Sequence, residues 1–181
     1  MTGVQTCALP IYVSASMFTE GKRHATYKYQ KYPMSERIVQ ASLTAQALID
    51  TLQKAQVQTC VLTFGDQTAI VKPFGQHPLK SAPSLRSMEH GGGTNDYFAV
   101  RYAHKLLLSR SEERKICIVI TDGQGDSRSV RKQVQIGDRL GITTIGIGIE
   151  LDVSGVYKQA IKIKNANDLA VVSFKQIKLA V

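Results

Sequence analysis

The chain has 181 residues, 43% hydrophobic and 20% charged, which fits one globular domain large enough to fold without disulfide or metal staples. No apolar run is long enough for a membrane-crossing helix, and the three cysteines form an odd set without metal-type spacing. The formal net charge of +9 favours anionic partners (nucleic acid, anionic surfaces or an acidic protein) and says nothing about fold.

Met1 to Ile11 resembles the translation of a common sequencing-adapter oligonucleotide joined to a truncated reading frame, so residues 1–11 are read as an artefactual leader and 12–181 as the domain, a C-terminal fragment of a longer protein. Tyr12 is read as sharing that origin, because a Tyr codon differs from an Asp codon only in its first base. An untruncated gene with a residue other than Asp at this place would overturn that reading. On it, the first strand is truncated, or replaced by the segment Cys7–Val13. Pro10 argues against a central place for that segment, because proline cannot donate to a ladder.

From Lys22 to Arg37 basic residues are dense, and Tyr27-Lys28-Tyr29-Gln30-Lys31-Tyr32 interleaves rings with cations. Such a stretch can stack on single-stranded nucleic acid or lie as a solvated loop. Ser35–Ala55 reads as a helix with Ile38, Ala41, Ala45, Leu48, Leu52 and Ala55 on one stripe. Val57–Phe64 is a strand, and Thr68–Phe74 its hairpin partner across Gly65-Asp66. Residues 76–93 read as a long loop. Asn95–Ser109 is a second helix, with Ala99, Tyr102, Ala103 and Leu106 expected inward.

Lys115–Thr121 holds Ile116-Cys117-Ile118-Val119-Ile120, an unbroken apolar run of the kind found in a strand covered on both faces. Cys117, like Cys60, is expected as a small buried hydrophobe. Ser127–Leu140 is a third helix with Gly141 as its stop. Ile142–Ile149 is a buried strand in which Gly146 and Gly148 suggest close approach by a neighbour. Val153–Ala160 is expected as a short helix, Ile161–Lys164 as an edge strand, and Asn167 as the cap of a final helix. The alternation of strands and helices predicts an α/β fold: a doubly wound, mostly parallel sheet flanked by helices.

Three polar motifs fall where strands should end: Ser14-Ala15-Ser16, Gly91-Gly92-Gly93-Thr94 and Thr121-Asp122-Gly123. In open α/β sheets ligands bind there, at the topological switch point. Ser14, Ser16, Thr94 and Asp122 supply three hydroxyls and one carboxylate, oxygens suited to Mg²⁺, with Mn²⁺ as the alternative ion. Hydroxyls coordinate without cancelling charge, so the ion stays able to accept a carboxylate from a partner protein. Each motif has a plainer reading as a turn or helix cap. A serine nucleophile is a further alternative, with His24, His77, His90 or His104 as base, but no Gly-x-Ser-x-Gly elbow is present.

This set resembles the metal-ion-dependent adhesion site of von Willebrand factor A domains, whose pattern is Asp-x-Ser-x-Ser, a distant Thr and a further Asp. The resemblance implies a Rossmann-like fold with Ser14, Ser16 and Thr94 as direct ligands and Asp122 acting directly or through water. Tyr12 stands at the first Asp of the pattern, which weakens the expected ion. The tail (Ile145-Gly146-Ile147-Gly148-Ile149, Asp152-Val153, Tyr157, Ala160 and Asn165-Ala166-Asn167-Asp168-Leu169) resembles the branch of the cobaltochelatase T-subunit and of relatives linked to nitric oxide reductase activation. That likeness implies a cytoplasmic, non-catalytic adaptor. Its partners would be a carboxylate-bearing protein and an AAA+ ATPase of the MoxR or chelatase S-subunit type. The chain itself lacks a Gly-x-x-x-x-Gly-Lys-Ser/Thr phosphate loop. The alternative is a basic nucleic-acid-associated module with a vestigial metal site.

Overall fold

The computed structural model describes residues 5–13, 36–77, 80, 93–123, 125–164 and 168. Among them six strands form one sheet: β1 Gln5–Tyr12, β2 Gln58–Phe64, β3 Thr68–Lys72, β4 Arg114–Thr121, β5 Ile142–Ile149 and β6 Gln159–Ile163. The helices are α1 Glu36–Lys54, α2 Asp96–Leu108 and α3 Ser127–Arg139. The spatial order is β3-β2-β1-β4-β5-β6. Every pairing is parallel except the β2–β3 hairpin. The chain winds outward in both directions from the β1–β4 pair, so the doubly wound α/β sheet expected from the sequence is the observed one.

Strand β4 is buried along Ile116–Thr121 because it has a neighbour on each edge and cover on both faces. Helix α1 turns Ile38, Ala41, Ala45, Leu48 and Leu52 inward, as its periodicity requires, and Ala55 falls in the exposed turn after it. Gly141 ends α3 with φ +76, where a side chain would be strained. Cys7, Cys60 and Cys117 are free thiols buried in the core. Burial raises Cys60 to about 11 and pushes Cys117 still higher, so both stay protonated and behave as small hydrophobes.

Three expectations are corrected. The first concerns β1. Gln5–Tyr12 occupies the centre of the sheet despite Pro10, buried along its whole length. Beside β2 the register is continuous from Thr6↔Gln58 to Tyr12↔Phe64. Beside β4 it runs from Gln5↔Arg114 to Ala8↔Cys117 and resumes at Ile11↔Ile120, skipping Leu9 and Pro10. The ladder is therefore interrupted at the proline without a slip, and the apolar residues around it still face the core.

The second concerns Val153–Ala160, which is a single turn and not a helix. The amides of Val156 and Tyr157 both donate to the Val153 carbonyl, each at 3.0 Å, and the chain then extends into β6. Tyr157 is buried with its ring against Gly146, where any side chain would collide with it, while Gly148 admits the Leu151 carbonyl. Strand β6 begins two residues earlier than expected because Gln159 and Ala160 already pair with Ile145 and Gly146. The third concerns Tyr102, expected inward but 37% exposed on the outer side of α2. The final helix from Asn167 lies outside the described residues, Asp168 apart.

His104 is 2% exposed and sits in the seam between α2, α3 and β5. The Gln133 side-chain amide donates to Nδ1 at 3.1 Å, and Nε2 lies 3.0 Å from the Thr144 hydroxyl. A neutral imidazole that accepts at Nδ1 must donate from Nε2, so the pair of partners fixes one tautomer. Burial pushes the ring down to about 4. A lowered folded-state value means that this contribution to stability is complete above the unfolded value of about 6.5 and is lost as pH falls toward 4. Urea unfolding should therefore show a loss of about 2 kcal/mol between pH 7 and pH 5, and His104→Asn should flatten that dependence. Gly137 of α3 lies against the same ring, so a methyl there would strike it. Gly137→Ala should lower stability by about 1–3 kcal/mol in the same assay, although the change favours an isolated helix by about 1 kcal/mol.

Candidate metal and protein-binding rim

The rim is built at the carboxyl ends of β1 and β4, where the direction of winding reverses. Strand β1 delivers Tyr12, whose neighbour Val13 donates its amide to the Phe64 carbonyl at 2.8 Å and so holds the strand end against β2. The Tyr12 ring packs on Phe64 with centroids 5.2 Å apart. Its hydroxyl is hydrogen-bonded to the Thr94 hydroxyl. The ring also stands beside the turn after β4, since a methyl on Gly123 would lie 3.3 Å from Tyr12 Cε1. Tyr12, Thr94 and the Asp122-Gly123 turn therefore meet.

Thr94 is an exposed residue on a segment clamped from both sides. On one side the β2–β3 turn holds it. The Gly93 amide donates to Asp66 Oδ1 at 2.7 Å, and the Asn95 amide to the Gly65 carbonyl at 3.0 Å. On the other side Asp96, the first residue of α2, accepts from the Gly125 amide at Oδ2 (3.0 Å) and from the Tyr97 amide at Oδ1 (2.8 Å). Gly125 sits so close that a methyl there would lie 2.7 Å from Asp96 Oδ1 and 2.9 Å from the Thr94 carbonyl. Burial raises Asp96 above the ordinary carboxylate value, and its two backbone hydrogen bonds work against that rise.

The plainer readings separate by residue. Thr121 does make a strand-end turn: its hydroxyl donates to the Gly123 carbonyl at 2.7 Å and lies 3.1 Å from the Gly123 amide. Asn95 is at the N-cap position of α2 but makes no capping bond with its side chain. Thr94 and Asp122 are brought to one rim. Ser14 and Ser16 lie outside the described residues, as do Gly91, Gly92, His24, His90 and the Tyr27–Tyr32 stretch. Asp66 and Asp96, which position Thr94, went unnoticed in the sequence. A signal existed in both: an Asp in a hairpin turn, and an Asp two residues after the candidate ligand at the start of a helix.

The chemistry of the donor set decides whether the rim fits an ion. Mg²⁺ needs six oxygens in a near-octahedral array. Among the described residues the rim brings together Thr94 and Asp122, and the Thr94 hydroxyl is engaged by Tyr12. A phenol stands at the end of β1, and its ring occupies the space between Thr94 and Gly123. With Tyr12 in place, these residues do not fit the expected ion. No group of three or more His, Cys, Asp or Glu is gathered as a metal site among the described residues.

Comparison with known proteins bears on the same fold. The family model described as "von Willebrand factor type A domain" matches residues 34–179. The match begins after β1 and after Ser14 and Ser16. No curated protein matches the chain. Among solved structures, the conserved hypothetical protein BatB from Bacteroides thetaiotaomicron superposes with a TM-score of 0.75 at 14% identity, covering 97% of this chain and 98% of its own. The von Willebrand-type domain of the type V pili tip protein Mfa5 from Porphyromonas gingivalis gives 0.77 at 10% identity, covering 98% and 94%. Proximal thread matrix protein 1 from the mussel byssus, described with a zinc-occupied MIDAS motif, gives 0.74 at 15% identity, covering 99% of this chain and 46% of its own.

The clamp on Thr94 has a local consequence. Asp66→Ala should cost about 1–2 kcal/mol and speed hydrogen exchange at the Gly93 and Asn95 amides. Asp66→Asn, which keeps an acceptor oxygen, should retain most of the protection. Unchanged exchange at both amides in Asp66→Ala would show that the turn does not hold the loop.

Proposed function

The chain belongs to the von Willebrand factor type A domain family, and we propose that it is a non-catalytic protein-binding domain whose partner is received at the rim formed by Tyr12, Thr94 and Asp122. The convergence of these residues at the β1–β4 switch point supports this reading most directly. The structural neighbours include a pilus tip protein and a byssal thread matrix protein, both named for assemblies of proteins. We further propose a cytoplasmic adaptor role beside an AAA+ ATPase of the MoxR or chelatase S-subunit type. The resemblance of the tail residues to the cobaltochelatase T-subunit branch supports it. Residues 1–11 remain, in this proposal, an artefactual leader, although they build β1 here.

The proposed ion belongs to the form of the chain with Asp at position 12. There Ser14, Ser16, Thr94 and Asp122 would hold Mg²⁺, or Mn²⁺, and the ion would supply an electrophilic site for a partner's carboxylate. The residues of this chain have a simpler part. Thr94 is oriented by Asp66 and Asp96, Asp122 presents its carboxylate at the end of β4, and Tyr12 covers the space between them.

Calorimetric titration with Mg²⁺ tests the reading. The chain as it stands should show weak or no binding, and Tyr12→Asp should bind more tightly by about tenfold or more, the effect of adding a carboxylate to a divalent site. Equal affinity in both forms would defeat the proposed role of position 12. Mg²⁺-dependent, EDTA-sensitive capture of an AAA+ ATPase by the Tyr12→Asp variant, but not by its Thr94→Ala derivative, would support the adaptor role.

A further inference from the structure

The outward sides of α2 and α3 carry a surface that the rim does not explain. A helix packed on a sheet needs its apolar residues on one stripe and gains nothing by exposing others. Helix α2 meets the first condition with Ala99, Val100, Ala103 and Leu107, all buried. Yet on its opposite side Phe98 is 55% and Tyr102 37% exposed. Positions 98, 101, 102 and 105 fall within one sector of a 3.6-residue helix, so these two rings alternate with Arg101 and Lys105, both exposed. Helix α3 adds aliphatic surface: Ile136 is 47% and the following cap residue Leu140 50% exposed. Both continue the flank on which Gln133 and Gly137 meet His104, so they lie toward α2.

Charge on this layer is predominantly positive, with Asp138 and the α3 cap Asp126 as its exposed acids. Within α2 and α3 the exposed cations are Arg101, Lys105, Arg128, Arg131, Lys132 and Arg139, whereas the sole exposed acid is Asp138. Asp96, the other acid of these helices, is buried and bonded to the Gly125 amide. Large apolar side chains set among a surplus of cations describe a docking face for something that is both apolar and acidic.

We propose that the α2–α3 face docks an acidic amphipathic segment of a partner protein. Its apolar side chains cover Phe98, Tyr102, Ile136 and Leu140, and its carboxylates meet Arg101 and Lys105. Charge complementarity selects an anionic partner, and the aliphatic pair selects a protein segment over a nucleic acid. Bases stack on flat rings, and Ile136 and Leu140 give them nothing comparable. The inference deepens the protein-binding reading of this domain, but the contact needs no ion.

Fluorescence anisotropy of the full chain in EDTA tests it, which separates this surface from the metal-dependent rim. The probe is a labelled helical peptide with Leu along one side and Glu along the other. The unmodified chain should bind it, and added salt should weaken binding. The pair Arg101→Glu with Lys105→Glu, and separately Phe98→Ser with Tyr102→Ser, should each weaken binding by about tenfold. Arg114→Glu, at the start of β4, should leave it unchanged. All of these residues are exposed, and the thermal midpoint of each variant confirms folding. Three results would overturn the proposal: no binding by the unmodified chain, equal binding by both double variants, or tighter binding of oligodeoxythymidine or phosphatidylserine vesicles in the same buffer. Peptide binding in EDTA alongside an absent Mg²⁺ effect in the Tyr12→Asp variant would remove the metal rim and leave this face standing.

Discussion

A parallel sheet cannot be wound in two directions without a strand at its centre that is paired on both edges and covered on both faces. Here that strand is Gln5–Tyr12. Its position fixes the rest: α1 returns the chain to β2 on one side, and α2 lies over β1 and leads to β4 on the other. Because parallel strands end together, the placement of β1 also carries Tyr12 to the level of Thr121-Asp122. The rim is thus a consequence of sheet register before it is a matter of side-chain chemistry. The interruption at Leu9 and Pro10 is tolerable because the register with β4 is the same on either side of it. The one donor that Pro10 cannot supply costs on the order of 1 kcal/mol. Complete burial of Cys7, Ala8, Leu9 and Ile11 offsets more than that.

Loops at the end of such a sheet carry few apolar contacts, so their geometry must come from hydrogen bonds. Two carboxylates do this for Thr94. Asp66 reaches it from the β2–β3 turn, and Asp96 ties the first turn of α2 to the loop after β4. Both accept backbone amides, the groups that a loop otherwise leaves for water. Asp96 does so from a buried position that raises its proton affinity, and the bonds from the Gly125 and Tyr97 amides oppose that rise.

The sheet was legible where residue pattern and environment agree. Ile116–Ile120 is a five-residue apolar run and cannot be half-exposed. Ile142–Ile149 is a strand with two glycines, and the glycines mark where Tyr157 and Leu151 approach. Cys7–Val13 was legible as a replacement first strand, but its central place was not, because the rule against proline in central strands is local, whereas the decision is made by the whole sheet, which needs a sixth member at its middle. Val153–Ala160 misled for a similar reason. Its spacing admits a helix, but pairing of Gln159 and Ala160 with β5 and burial of Tyr157 draw the chain into extension. At the rim, Thr94 and Asp122 could be read from their place after glycines and strands. Asp66 and Asp96 carried only the weak signal of an Asp in a hairpin turn and an Asp at a helix start, because the Gly93 and Gly125 amides they accept are distant in sequence. Tyr102 showed the limit of periodicity, which marks a stripe as apolar without saying whether it is covered.

Position 12 ties stability to chemistry. The Tyr12 ring is buried on Phe64, and removing a ring of that size from a packed site costs about 3–5 kcal/mol when nothing replaces it. An Asp there would also add a carboxylate to a neighbourhood that already holds Asp96 and Asp122. Like charges brought close together oppose one another, and a divalent cation is one means of balancing them. In the present chain the phenol ring fills the volume and its hydroxyl engages the Thr94 hydroxyl. The two arrangements are alternative solutions to one packing and charge problem.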